Sequence, residues 1–205
     1  PQGPLRFFIN DAVMVKSFLF IDGENFLHKI EEVLNTEGLD RSKFDLSGIN
    51  LNQLLKKPLE GITVLTKIFY VAKIRLHPDT IKKSKELVAN QRKLRNNLVN
   101  QGCEFTIAGN VRAQKIGNKV VFREKGVDVR IAVDMVTLAC DKKMDTAILC
   151  SSDSDLQPAV YELKKRKVKV VYLGFEIKPN KGLAYSADRT ILFRNQEILS
   201  ALSAI

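Results

Sequence analysis

Five aspartates occupy positions where this chain would otherwise carry small apolar residues or glycine. Asp22 closes the apolar run Phe18-Leu19-Phe20-Ile21 and precedes Gly23-Glu24-Asn25. Asp128 and Asp134 lie in the segment that follows Lys125-Gly126, and Asp153 and Asp155 follow Ile148-Leu149-Cys150-Ser151-Ser152. Two of these segments read as an apolar strand ending in a carboxylate. In an open parallel sheet, ligands bind beyond the carboxyl ends of the strands. Carboxylates gathered there repel one another, by roughly 4 kcal/mol for each close pair at an intermediate dielectric. A hard divalent cation removes that cost and has a use in phosphodiester chemistry.

Each aspartate also has a plainer reading. Asp22-Gly23 can be a turn with Asn25 as a helix cap. Asp128 can be an acidic residue in a first helical turn, favoured by the dipole. Ser151 to Asp155 can be an N-cap, although capping needs one or two of those five residues. Asp134 falls at helical spacing with Val127, Ile131 and Leu138, so it is expected in line with core residues and in need of a partner.

Elements that could position these residues alternate along the chain. Strands are expected over Ser17 to Ile21, Ile62 to Ile74, Cys103 to Ala108, Thr146 to Cys150, Val168 to Leu173 and Thr190 to Phe193. Helices are expected over Asn25 to Leu34, Asn50 to Lys56, Asp79 to Asn100, Gly126 to Cys140, Ser154 to Arg166, Gly182 to Ala187 and Asn195 to Ala204. Thr36 to Ser47 reads as a polar loop. On the long helix the apolar stripe is Ile81, Leu87, Val88, Leu94, Leu98 and Val99, with Gly102 as its stop. Ile116-Gly117-Asn118-Lys119 joins two β-like arms, so Val111 to Phe122 predicts a hairpin. The strands lack period-2 polarity, which signals a parallel sheet covered on both faces.

The chain has 205 residues, 45% of them hydrophobic, which is enough for one sizeable core. Residues 14–205 are read as one domain, and 1–13 as an extension or an expression remnant. Aromatic residues are only 7% and Trp is absent, so the core is expected to be mostly Val, Ile and Leu. Cys103, Cys140 and Cys150 are widely spaced on apolar segments, which predicts reduced, buried thiols in a cytoplasmic protein and no zinc site. No apolar run is long enough to span a membrane, and no signal peptide is visible. His28 and His77 are poor acid–base candidates, with surface or packing roles expected. Neither a Walker phosphate loop nor a dinucleotide fingerprint is present.

The three acidic segments, Ile21-Asp22-Gly23-Glu24-Asn25, Lys125-Gly126-Val127-Asp128 and Ser151-Ser152-Asp153-Ser154-Asp155-Leu156-Gln157-Pro158, closely resemble the motifs of NYN domains in the PIN-like nuclease superfamily. The resemblance runs from about Val15 to Leu173 and includes the order and spacing of all three. It implies a three-layer α/β/α sandwich with a central, mostly parallel sheet, and an RNA-cleaving site dependent on Mg2+ or Mn2+. Carried over by position, Asp22, Asp128 and Asp153 resemble the metal-binding carboxylates, and Asn25, Asp134 and Asp155 the supporting polar positions. Ser152 stands where the family commonly has Gly. The hairpin and the Lys-rich helix fall outside the shared motifs.

A formal net charge of +10 favours a polyanionic partner. Basic residues cluster on the long helix, including Lys82, Lys83, Arg92 and Lys93, and on the hairpin, with Arg112, Lys115 and Lys119 just upstream of Asp128. A third cluster, Lys164 to Lys167, ends a helix and offsets its dipole. Phe105, Phe122, Tyr161 and Tyr172 fall in apolar patterns and are expected in the core. RNA, single-stranded or structured, is therefore expected to be held by backbone contacts and shape, without base-specific readout. The leading expectation is a metal-dependent ribonuclease. An RNA-binding regulatory module with this fold and little catalysis is the alternative. A haloacid-type phosphatase would need a second Asp two residues after the first, where Glu24 stands. The oligomeric state is left open, a homo-oligomer included.

Overall fold

Among the described residues, six of seven strands run parallel, and the order of the strands reverses across the sheet at the first of them. The computed structural model describes residues 15–75, 81–116 and 119–202, and of 112–116 and 119–124 it describes the backbone alone. The strands are β1 (Ser17–Asp22), β2 (Thr66–Lys73), β3 (Cys103–Ile116), β4 (Lys119–Lys125), β5 (Thr146–Cys150), β6 (Lys169–Phe175) and β7 (Arg189–Phe193). Their order is β4-β3-β2-β1-β5-β6-β7, with β4 alone antiparallel. β1 thus lies between β2 and β5, Asp22 opposite Tyr70 on one side and Ile21 opposite Cys150 on the other. This is the topological switch point of a doubly wound sheet, where a crevice opens at the carboxyl ends.

Among the described residues the α-helices are α1 (Gly23–Thr36), α2 (Leu51–Lys56), α3 (Ile81–Asn100), α4 (Val127–Cys140), α5 (Gln157–Lys165), α6 (Lys181–Ser186) and, after the last strand, α7 (Asn195–Leu202). Phe26, Ile30, Val33 and Leu34 of α1, the leucines of α2, Leu94 and Leu98 of α3 and Ile198 of α7 bury one face of the sheet. Val127, Ile131, Met135 and Ala139 of α4, Val160 and Leu163 of α5 and Leu183 of α6 bury the other. Along β1, Leu19 and Ile21 belong to the first core and Phe20 to the second. Both faces are covered, which explains the unbroken apolar strands.

The structure revises several expectations. The core is mostly Leu, Ile and Val, as expected, but Phe20, Phe26, Phe69, Phe193, Tyr70 and Tyr172 are among its largest fully buried side chains. Phe105 is partly buried, Tyr161 is exposed, and the Phe122 side chain lies outside the described residues. Ile81 and Val99 of α3 are exposed, and its buried line runs through Ser84, Leu94 and Leu98. Cys140 is exposed, while Cys103 and Cys150 are buried. β2 begins at Thr66, four residues later than Ile62, because its partner β1 pairs with it only from Phe18↔Thr66 onward. The loop after α1 contains two 3-10 turns, Arg41–Lys43 and Leu46–Gly48, capped by Asp40 and Asp45. The hairpin forms with Ile116 opposite Lys119, as an extension of β3. Its Gly117-Asn118 turn, the helix start at Asp79, His77 and the 1–13 segment lie outside the described residues.

Gly23 shows how tightly α1 is set against the sheet. A Cβ there would lie 2.3 Å from Phe69 Cε1 and 2.6 Å from the Tyr70 carbonyl oxygen. Neither a fully buried ring nor a strand backbone can give way easily. Gly23→Ala is therefore expected to lower stability by about 1–3 kcal/mol, despite the better helix propensity of Ala. A urea midpoint equal to that of the parent would contradict it.

Candidate active site

The cleft is built at the switch point from the ends of β1 and β5 and the start of α4. Asp22 is the last residue of β1 and the N-cap of α1. Its Oδ1 accepts the backbone N–H of Asn25 at 3.2 Å. On the β5 side the Ser151 hydroxyl donates to Asp22 Oδ2 at 3.2 Å, and Ser151 Oγ accepts the backbone N–H of Asp153 at 3.1 Å. Asp153 in turn accepts the N–H of Asp155 at 2.9 Å and starts a 3-10 turn, Ser154–Leu156, that leads into α5. The capping reading of the Ser151 to Asp155 segment thus holds at Asp153, whereas the cap of α1 is Asp22 and not Asn25, and both Asp22 oxygens accept hydrogen bonds.

Asn25 joins the two strand ends. Its Oδ1 accepts both the backbone N–H of Ser152 at 3.0 Å and the Ser152 hydroxyl at 2.6 Å. From the opposite side, Asn180 Nδ2 donates to the Ser152 carbonyl at 2.8 Å, while its Oδ1 caps α6 by accepting from Leu183 N–H. The loop carrying Asp153 is therefore held from α1 and from the segment after β6. Asn180 gave no signal in the sequence, because it lies far from every acidic segment.

Asp128 reaches the cleft through a sharp turn. Gly126, between β4 and α4, has φ +98°, a left-handed conformation that favours glycine. That turn sends the chain from the hairpin straight into α4, with Asp128 in the first helical turn. One carboxylate oxygen each from Asp128, Asp153 and Asp155 lies within 4.8 Å of the others. Asp22, Asp128 and Asp153, with Glu24, Asn25, His28, Lys125 and Gly126, line an open cavity of about 440 Å³. Glu24 and His28 face it from successive turns of α1, and sequence reading had given neither a role there.

The structure distributes the sequence-predicted residues unevenly. Asp155, expected in support, belongs to the tight group of three, and Asp22 sits behind it, linked to Asp153 through Ser151. Asp134 stands outside the cleft. It accepts the Tyr70 hydroxyl at 3.0 Å and pairs with Arg130 at 2.8 Å. The buried face of α4 passes through Met135 and Ala139, so Asp134 and Leu138 are only half-buried at its edge. Of the basic residues, Lys82, Lys83, Arg92 and Lys93 are exposed on α3. The backbones of Arg112, Lys115 and Lys119 are in the hairpin, and their side chains lie outside the described residues.

Asp22 is 8% exposed, and burial pushes its carboxyl up from 3.8 to about 6. The hydrogen bonds from Asn25 and Ser151 pull the other way and only partly offset that desolvation, while the charges of Asp153 and Glu24 add to it. A raised carboxyl in a cleft with three further carboxylates calls for positive charge. The tight group offers only oxygen donors, which fit a hard cation.

The fold is a doubly wound α/β sheet with carboxylates massed at its switch point. A family model described as the NYN domain matches residues 16–194, and the chain belongs to that family, within the PIN-like nuclease superfamily. The crystal structure of a protein of unknown function from Vibrio parahaemolyticus has the same fold, with 20% identity and a TM-score of 0.57 over 87% of this chain and 92% of that one. No curated protein matches the chain. Among the described residues, no helix is long and apolar enough to cross a membrane.

Proposed function

We propose that this protein is a ribonuclease that hydrolyses phosphodiester bonds of RNA, with Mg2+ or Mn2+ held by Asp128, Asp153 and Asp155. The observation that carries this reading is the convergence of those three carboxylates within 4.8 Å of one another, two of them, Asp128 and Asp153, lining one cleft with the buried Asp22. Membership in the NYN family and the net charge of +10 support a nucleic-acid substrate.

When bound, the cation supplies positive charge for the phosphate oxygens and lowers the pKa of a water. The chain supplies placement. Asp128, Asp153 and Asp155 would hold the cation from two separate elements. Ser151 fixes Asp153 relative to Asp22, and Asn25 and Asn180 hold the Ser152 peptide from opposite sides. Asp22 ionises above about pH 6 and then adds a further negative charge to the cleft. Cleavage of an unstructured RNA with Mg2+ or Mn2+, abolished by a chelator, is the expected result. No cleavage with either cation, alongside intact RNA binding, would select the regulatory module instead.

The hairpin is the first choice for the RNA track, because β4 leads into Lys125 and Gly126 on the cleft wall. Each phosphate contact on a single strand contributes about −0.7 to the slope of log K against log salt. Neutralising Arg112, Lys115 and Lys119 together is expected to flatten that slope by about 2 and to weaken RNA binding. Equal slopes for the variant and the parent would shift the track to Lys82, Lys83, Arg92 and Lys93.

A further inference from the structure

A second cavity, of about 460 Å³, opens on the other side of the first turns of α1. Glu24 and His28 line both cavities. Its walls come from α1, from the carboxyl end of β2 and from α3, with Leu27, Val71, Ile74, Leu87, Leu94 and Val111 forming an apolar surface. Its volume is in the range of small-molecule sites, and polar and charged side chains interrupt the apolar wall.

Charge decides what kind of group it suits. A phosphate entering here would meet Glu24, Glu31 and Asp45. The one guanidinium in the lining, Arg41, is already bonded to Glu31 at 2.7 Å. The cavity therefore disfavours an anion and favours a flat, uncharged group with polar edges. Two amides stand in the wall for those edges. Asn90 is exposed and its side-chain amide has no hydrogen-bond partner among the described residues, so its donor and acceptor are both available. Gln91 Nε2 donates to the Ala72 carbonyl at 2.8 Å, which leaves its Oε1 to accept. The group that a bound RNA strand presents next to a phosphate, uncharged, planar and edged with donors and acceptors, is a nucleobase.

We propose that this cavity is a nucleobase subsite, which takes the base flanking the phosphate held at the acidic cleft. The inference rests on the ribonuclease reading for its orientation, with the strand passing over Glu24 and His28 from one cavity to the other. The side chains of Leu87 and Asn90, on α3, set its depth and its polar edge. Base recognition here needs no exposed aromatic ring, which is why composition gave no sign of it.

The test separates base binding from cleavage. Methyl-labelled protein in a chelator is titrated with adenosine 5′-monophosphate, uridine 5′-monophosphate and ribose 5-phosphate. The two nucleotides are expected to move the methyl signals of Val71, Leu87 and Leu94, and ribose 5-phosphate to leave them in place. Leu87→Trp fills the cavity and abolishes the shifts. Asn90→Asp, at an exposed position that leaves the core intact, weakens nucleotide binding about three- to tenfold through the lost amide donor. On RNA with one abasic ribose walked along the strand, cleavage beside the missing base is expected to fall about tenfold. Methyl signals unmoved by either nucleotide, or moved equally by ribose 5-phosphate, overturn the subsite whatever the cleavage assay gives. Nucleotide-specific shifts in a protein that cleaves no RNA with either cation uphold the subsite and remove the ribonuclease reading.

Discussion

Asp153→Asn is expected to fold like the parent and to lose RNA cleavage by at least about 100-fold. The side chain has two tasks, and the substitution separates them. As a cap, Asp153 accepts the N–H of Asp155 at 2.9 Å, and an Asn oxygen accepts that bond equally well. The backbone N–H of Asp153 still reaches Ser151 Oγ, so the link back to Asp22 persists. Stability should stay within about 0.5 kcal/mol, as for most changes away from a packed core. As one of three carboxylates within 4.8 Å, however, Asp153 loses a ligand charge. Changes in the partners that merely orient metal ligands already cost about 10–100-fold, so the loss of a ligand should be at the upper end or beyond. Cleavage of unstructured RNA and a Mn2+ titration, run with urea unfolding on the same samples, check all three statements. Full activity with unchanged Mn2+ affinity would reduce Asp153 to a helix cap.

Much of this architecture was legible because the central strands are buried on both faces and the helices packed on them on one. Thr146 to Cys150 is a strand with the bounds expected, and Gly126 marks the turn into α4. What local pattern could not show was which strand ends meet. β5 joins β1 across more than a hundred residues, and only that pairing brings Ser151 to Asp22. The α4 register shows the limit well. Asp134 has the same spacing from Val127 and Ile131 as a core residue, yet the sheet selects Met135 and Ala139 for burial. The helix is rotated enough for Asp134 to meet the Tyr70 hydroxyl and Arg130 at the edge. Asp155 was ranked below Asp22 because the resemblance ordered them so. The 3-10 turn after Asp153 brings its carboxylate to Asp128 and Asp153, and a continuous helix from Ser154 had been expected. The second cavity was invisible for a related reason, since its walls come from elements that meet only once the sheet is assembled.

Asp22→Asn should make the cation-free protein more stable at neutral pH while impairing the cleft. Burial raises the folded carboxyl to about 6 from 3.8, so between those values the folded state binds more protons than the unfolded state. Stability then falls as pH rises through that window, and the whole penalty is present above about pH 6. A shift of about two units corresponds to roughly 2–3 kcal/mol. Asn in this position carries no charge to desolvate. It can still accept the Asn25 N–H that starts α1, and its amide can donate to Ser151 Oγ where the hydroxyl donated before. The variant is therefore expected to exceed the parent by roughly 2–3 kcal/mol at pH 7.5 in a chelator, and to show no advantage below about pH 4, where Asp22 is protonated in both states. Mg2+ or Mn2+ should narrow the gap at pH 7.5, because a cation in the cleft stabilises the parent carboxylate more than the amide. Urea midpoints at the two pH values, with and without cation, measure all of this. A constant difference between variant and parent across pH would mean that the Asp22 carboxyl titrates alike in the folded and unfolded chain, its burial fully offset by the hydrogen bonds from Asn25 and Ser151.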